Sequence, residues 1–295
     1  MPDRRIEFAL LGLLALFWGS SYVVAKAALA EIPPLTLVAA RVSVAAIFLL
    51  LVLALRGERL PRGRRTWAAL LVQAVCNSIG AWTILAWGQQ HIDSGLAAVL
   101  NSTSPIFAYF IALVWAQDEG VHPRRLAGAL IGSAGVAAIV GVEALDGIGT
   151  EVAGELAALA GACLYAIAAI YGRRFASLPP AATAAGTMLW ATAWLLPASL
   201  IFDRPWTLAP SADAVMAALT LGVVCTGAAL LLYFRLIRTL GSLGVASNSY
   251  LRAGVGVLLG WLIFGETISL SVGLGLAAAV VGVALINARP RRLRA

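Results

Sequence analysis

Long runs of Leu, Val, Ala, Ile and Phe, separated by short polar or proline-bearing stretches, fill the chain from residue 8 to residue 288. A helix that crosses a bilayer needs about 20 apolar residues at about 1.5 Å of rise each. On that measure ten spans are predicted, over residues 8–30, 35–55, 67–89, 95–116, 125–142, 152–172, 182–202, 212–234, 243–264 and 270–288. Pro33-Pro34, Pro179-Pro180 and the segment from Pro205 to Pro210 fall between them, where helices must stop. One run breaks its own pattern, because Arg252 stands near the middle of the ninth. An ionisable group at that depth is costly and by default marks a functional site.

The pattern also repeats. Sliding the sequence along itself by 147 residues sets Leu96, Asn101, Ser102, Glu119, Gly128 and Gly135 on Leu243, Asn248, Ser249, Glu266, Gly275 and Gly282. The same offset sets Trp18 on Tyr165 and Lys26 on Arg173. Two five-span units follow, 1–147 and 148–295. An odd number of spans turns the second unit upside down. The expected fold is an all-α polytopic membrane protein, ten transmembrane helices as two inverted five-helix repeats around a central cavity. In such an architecture the site lies near the midplane at the repeat interface. Gly128 with Gly132, Gly256 with Gly260, and Gly273, Gly275 and Gly282 are small residues at helical spacing that let membrane helices approach closely.

Composition agrees: 61% of residues are hydrophobic, 12% are charged, and the mean hydropathy is +0.91. Arg4 and Arg5 lead straight into the first run, which is read as a retained span rather than a cleaved signal. The net charge of +7 does not point to nucleic acid, because the basic residues cluster at the ends of runs. With the N-terminus inside, Arg4, Arg5, Arg56 to Arg65, Arg124, Arg125, Arg173, Arg174, Arg235, Arg238 and Arg289 to Arg294 all fall on the cytoplasmic side, and Arg204 outside. Both termini are therefore expected in the cytoplasm, in a bacterial-type inner membrane.

Helical spacing sorts the polar residues inside the spans. Asn248, Ser249 and Arg252 share a stripe of span nine, with Tyr250 beside them, and Asn101 and Ser104 form the matching stripe of span four. Every carboxylate used in assigning the outer loops lies near a span end, so Arg252 is left to backbone carbonyls at a helix break, to water, or to a substrate carboxylate. Trp18, Tyr22, Asn77, Trp82 and Tyr165 are further cavity candidates, able to offer amides, hydroxyls or ring faces. Lys26 and Arg41 lie in the outer third of the first hairpin, either anchoring at the interface or lining a positive vestibule.

Catalytic readings find no support. His91 and His122 fall at opposite membrane faces, no Ser, His and Asp converge, and no phosphate-binding glycine loop occurs, so neither enzymatic chemistry nor ATP hydrolysis is expected. No metal or cofactor is expected. Cys76, Cys163 and Cys225 sit singly in apolar runs and read as small core residues.

Phe17-Trp18-Gly19-Ser20-Ser21-Tyr22 followed by Lys26, Ala40-Arg41, Ser102-Thr103-Ser104-Pro105 with Glu119, and Phe264-Gly265-Glu266 together make the whole chain resemble the drug/metabolite transporter superfamily, EamA type. The resemblance implies ten helices in two inverted repeats and export of amino acids, related metabolites or drugs, as in bacterial amino-acid exporters. One position departs from it: Pro105 has Arg252 as its counterpart. The expected function is secondary, ATP-independent export of amino acids or related small metabolites by alternating access. The partners expected are a small-molecule substrate and the lipid bilayer, with a monomer as the assembly. The alternatives are an exporter of drugs or other lipophilic compounds on the same fold, and a lipid flippase.

Overall fold

A computed structural model describes residues 4–115, 123–144, 150–175, 177–233, 235–236, 239, 248–267 and 269–287. The described elements are all helical. Among the described residues seven helices are long and apolar enough to cross a membrane, and the shorter apolar helices Leu126–Gly135, Leu251–Phe264 and Gly273–Gly282 occupy the fifth, ninth and tenth places.

The first span is Arg4–Leu29 and the second Pro34–Arg56, entered through Pro33 and closed by Gly57 in the left-handed conformation. The third runs from Arg64 to Gly88 through a π-helical turn at Val75–Gly80. The fourth is two helices, Ser94–Asn101 and Ser104–Trp115, and the fifth is Pro123–Ala144. The sixth is Thr150–Gly172, the seventh Pro180–Phe202, and the eighth starts at Ala212 and passes through a second π-helical turn at Val223–Ala228. The ninth is Asn248–Leu259 with a π-helical end at Gly260–Phe264, and the tenth is Leu270–Asn287.

How the spans pack reveals the symmetry. The first lies against the eighth and ninth, and the sixth against the third and fourth. The second packs on the eighth and the seventh on the third, while second meets seventh and fifth meets tenth. Exchanging each span with the one five places along leaves this scheme unchanged, as a two-fold relation between two five-span units requires.

Small residues make the close contacts. A Cβ added at Gly282 would lie 2.8 Å from the Cα of Gly132, so the fifth and tenth spans touch backbone to backbone. Gly273, by contrast, has open space around it, and its place in the glycine series carries no helix contact.

Acidic loop residues tie one end of the bundle across the two units. Asp203 accepts from the backbone N–H of Thr36 at 2.8 Å, and Glu31 accepts from the N–H of Ser211 at 2.6 Å. Each carboxylate thus meets the N-terminus of a span from the other half, where unpaired N–H groups and the helix dipole favour negative charge. These loops, with 89–93 and 265–267, share one end. Glu7, Arg56, Glu58 and Arg235 mark the other.

Candidate functional site

The site begins with a proline. In an unbroken helix the Asn101 carbonyl would accept from the N–H of residue 105, but Pro105 has none. The helix therefore tightens: Ser102 N–H reaches Ala98 and Val99, Thr103 N–H reaches Leu100, and the fourth span breaks there. The orphaned Asn101 carbonyl is taken by Arg252, whose Nη2 donates to it at 3.1 Å. Arg252 is the residue that the repeat places on Pro105. Span four lacks a donor, and span nine supplies it from the equivalent position.

Around this link lies a polar patch inside an apolar bundle. Asn101 is buried, and its Nδ2 donates to the Tyr22 hydroxyl at 2.6 Å. The Tyr22 carbonyl in turn accepts from Gln89 Nε2 at 3.0 Å. Four buried polar atoms of the patch have no partner among the described residues: Asn101 Oδ1, both amide atoms of Asn248, and Arg252 Nε. An unmade hydrogen bond of this kind costs about 1–3 kcal/mol each. First and ninth spans approach closely enough to seal it because Gly19 lacks a side chain. A Cβ there would stand 2.6 Å from Val255 Cβ and 2.9 Å from the Arg252 carbonyl.

A second cluster gathers residues from four spans. Arg41 does not reach for the interface; its guanidinium lies 4.1 Å over the Trp82 ring, a cation–π contact. Arg41 Nε donates to Thr226 Oγ1 at 2.8 Å, and the Thr226 hydroxyl donates to the Leu221 carbonyl five residues back. This link falls at the π-helical turn Val223–Ala228, a distortion frequent at functional sites. With its proton committed, the Thr226 oxygen faces Arg41 as an acceptor. The Trp82 indole N–H donates to the Tyr165 hydroxyl, which lies within electrostatic reach of both Arg41 and Arg252.

The remaining candidates scatter. Trp18 pairs with Tyr233 at 5.3 Å between ring centroids. Asn77 Nδ2 donates to Ser78 in the other mid-span π turn, and Ser104 heads the second half of span four. The side chains of Ser249 and Tyr250 lie outside the described residues.

Lys26 stands apart at the acidic end. Its Nζ meets Asp93 at 2.8 Å and Glu266 at 3.1 Å. Glu266 also accepts from the N–H groups of Ser94 (2.9 Å) and Gly95 (3.0 Å), which begin the fourth span. Burial works against its charge, yet the Gly95 and Ser94 amides, the Ser94 hydroxyl and Lys26 together hold its carboxyl below the ordinary value. First, fourth and ninth spans are latched at this one point.

Sequence reasoning missed Thr226, Tyr233 and Gln89. Thr226 did leave a signal, since Asn77-Ser78-Ile79-Gly80 and Cys225-Thr226-Gly227 each put a hydroxyl shortly before a glycine in mid-span. Two buried carboxylates were also passed over. Glu155 is fully buried in the sixth span, and Glu7, 2% exposed in the first, binds Arg235 at 2.8 Å and Thr239 at 2.7 Å. A separate cavity of about 410 Å³ lies near that end, lined by Arg56, Glu58, Pro180, Ala181, Arg235 and Thr239 among others.

A model of the EamA-like transporter family matches the chain twice, over residues 6–141 and 152–288. The uncharacterized inner membrane transporter YedA of Escherichia coli K12 is 31% identical over 283 residues, covering 95% of this chain and 90% of its own. The uncharacterized transporter YoaV of Bacillus subtilis is 26% identical, covering 93% and 94%. A probable terminal-alkyne amino-acid exporter of Streptantibioticus cattleyicolor is 26% identical, covering 95% and 92%. A solved crystal structure with a TM-score of 0.67 covers 99% of this chain and 100% of its own at 22% identity, which establishes a shared fold.

Proposed function

The chain belongs to the EamA-like transporter family, and on that premise we propose that it exports amino acids or related small metabolites across the cytoplasmic membrane without hydrolysing ATP. Alternating access would come from rocking of the units 1–147 and 148–295 about the contact of spans four and nine, with both termini in the cytoplasm. One observation carries the reading. Among the described residues Asn101 Oδ1, the Asn248 amide and Arg252 Nε are buried without partners beside the Arg252–Asn101 link, and a substrate with a carboxylate and hydrogen-bonding groups supplies what they lack. The amino-acid exporter among the relatives supports the substrate class. The latch at Lys26, Asp93 and Glu266 fits a closed outer mouth, with the basic clusters on the cytoplasmic side.

The test is counterflow in proteoliposomes with a panel of labelled amino acids at two pH values, comparing wild type with Arg252→Ala and Lys26→Ala. Arg252→Ala is expected to lose at least tenfold in rate and Lys26→Ala less. Wild-type flux in a normally folded Arg252→Ala protein removes the guanidinium from the substrate site.

A further inference from the structure

The cluster around Arg41 adds a second cation to the site. Arg41 is bound through Nε alone, and among the described residues its two terminal nitrogens have no hydrogen-bond partner. Arg252 spends one terminal nitrogen on the Asn101 carbonyl and leaves Nε unmatched. Neither guanidinium has a carboxylate partner among the described residues. The groups in contact with the Arg41 guanidinium are the Trp82 ring and the Thr226 hydroxyl, both neutral. Five carboxylates are held by other groups: Glu7 by Arg235, Glu266 and Asp93 by Lys26, Asp203 by Thr36 and Glu31 by Ser211.

Tyr165 lies within electrostatic reach of both arginines. Its oxygen accepts from Trp82, so its own O–H remains available to donate. Both guanidinium groups thus act on the one Tyr165 hydroxyl, and the residues they bind or stack on, Asn101, Trp82 and Thr226, carry no negative charge to offer an ammonium. Two like charges taken out of water are costly until something of opposite sign joins them. Planar guanidinium groups match carboxylates in bidentate geometry.

We propose that the cargo is an organic anion with two acidic groups, one held at Arg252 and the other at Arg41, and that Arg41, Thr226 and Tyr165 set this preference. The proposal rests on the export reading above and narrows its substrate class. A simple zwitterion fills only half the site and brings an ammonium toward two cations. An acidic amino acid or a dicarboxylate fills both halves.

Isosteric pairs that differ by one charge test it: L-glutamate against L-glutamine, and succinate against succinamate, by counterflow and by thermal stabilisation of the purified full chain. In the wild type the anionic member of each pair is expected to exchange at least tenfold faster and to stabilise more. Arg41→Gln should bring the ratio close to one while the protein keeps its melting profile. If Arg41→Gln does not fold, Arg41→Lys, which keeps the charge but loses the planar fork, should lower the ratio severalfold. Equal rates within each pair in wild type, or an unchanged ratio in a folded Arg41 variant, overturns the two-cation site while export itself stands. Exchange of glutamine and succinamate but not of their anionic partners also overturns it. No movement of any of the four compounds, or of any amino acid in the wider panel, overturns both this proposal and the export reading.

Discussion

Arg252 and Pro105 are best understood together. The proline withholds an N–H from the Asn101 carbonyl, and the arginine returns a donor to it from the other half of the chain. The two substitutions should therefore couple. Pro105→Ala restores a backbone donor to Asn101, so Arg252→Leu is expected to cost about 1–3 kcal/mol less in a Pro105→Ala background than in wild type. Thermal unfolding of the four proteins in one detergent measures the cycle, and strict additivity would show that the carbonyl does not depend on the guanidinium. The position of Arg252 as an anomaly was visible in its apolar surroundings. Its partner was not, because nothing in a hydropathy pattern says which carbonyl a long side chain will find.

Among the elements, the first and ninth spans are set by what Gly19 does not carry. Any Cβ there meets Val255 and the Arg252 carbonyl, so Gly19→Val should destabilise by about 1–3 kcal/mol through overpacking. Gly12, about two turns earlier on the same helix with nothing within 4 Å, should tolerate Ala with a change within about 0.5 kcal/mol. Melting midpoints of both variants decide between them, and equal shifts count against the packing argument. The ten runs and their period were legible in the sequence, as were the repeat and its glycine seams at Gly132, Gly256 and Gly282. The π-helical turns at Val75–Gly80 and Val223–Ala228 were not, since a π turn changes the register of a helix without changing its composition. With those turns hidden, Thr226 could not be set opposite Arg41. Arg41 instead read as an anchor at the interface or a lining residue of an outer vestibule.

For the whole molecule, the latch at the acidic end makes a pH prediction with a definite sign. The Glu266 carboxyl sits below its ordinary value of 4.5 in the folded protein, so the unfolded chain takes up its proton first as acid is added. The stability it contributes is full above about pH 4.5 and is lost as pH falls from there through the lowered value. Wild type minus Glu266→Gln in melting midpoint should be flat from pH 8 to about 5 and shrink below; a difference that grows in acid contradicts the assignment. The same variant loosens the contact of spans one, four and nine, so thiol labelling of a cysteine placed at Ala98 in an otherwise cysteine-free chain should speed up.

An inverted duplication brings a residue near its own copy. Two prolines at this crossing would leave two carbonyls without a donor, and two arginines would set like charges side by side with no helix break for either to serve. Only an unequal pair works, one member opening the backbone and the other closing it. Two identical five-span polypeptides, however well they dimerised, could not hold such a pair. Joining the halves into a single chain is thus more than a tether: it lets one gene write different letters at the same place, and the Pro105–Arg252 crossing uses that freedom.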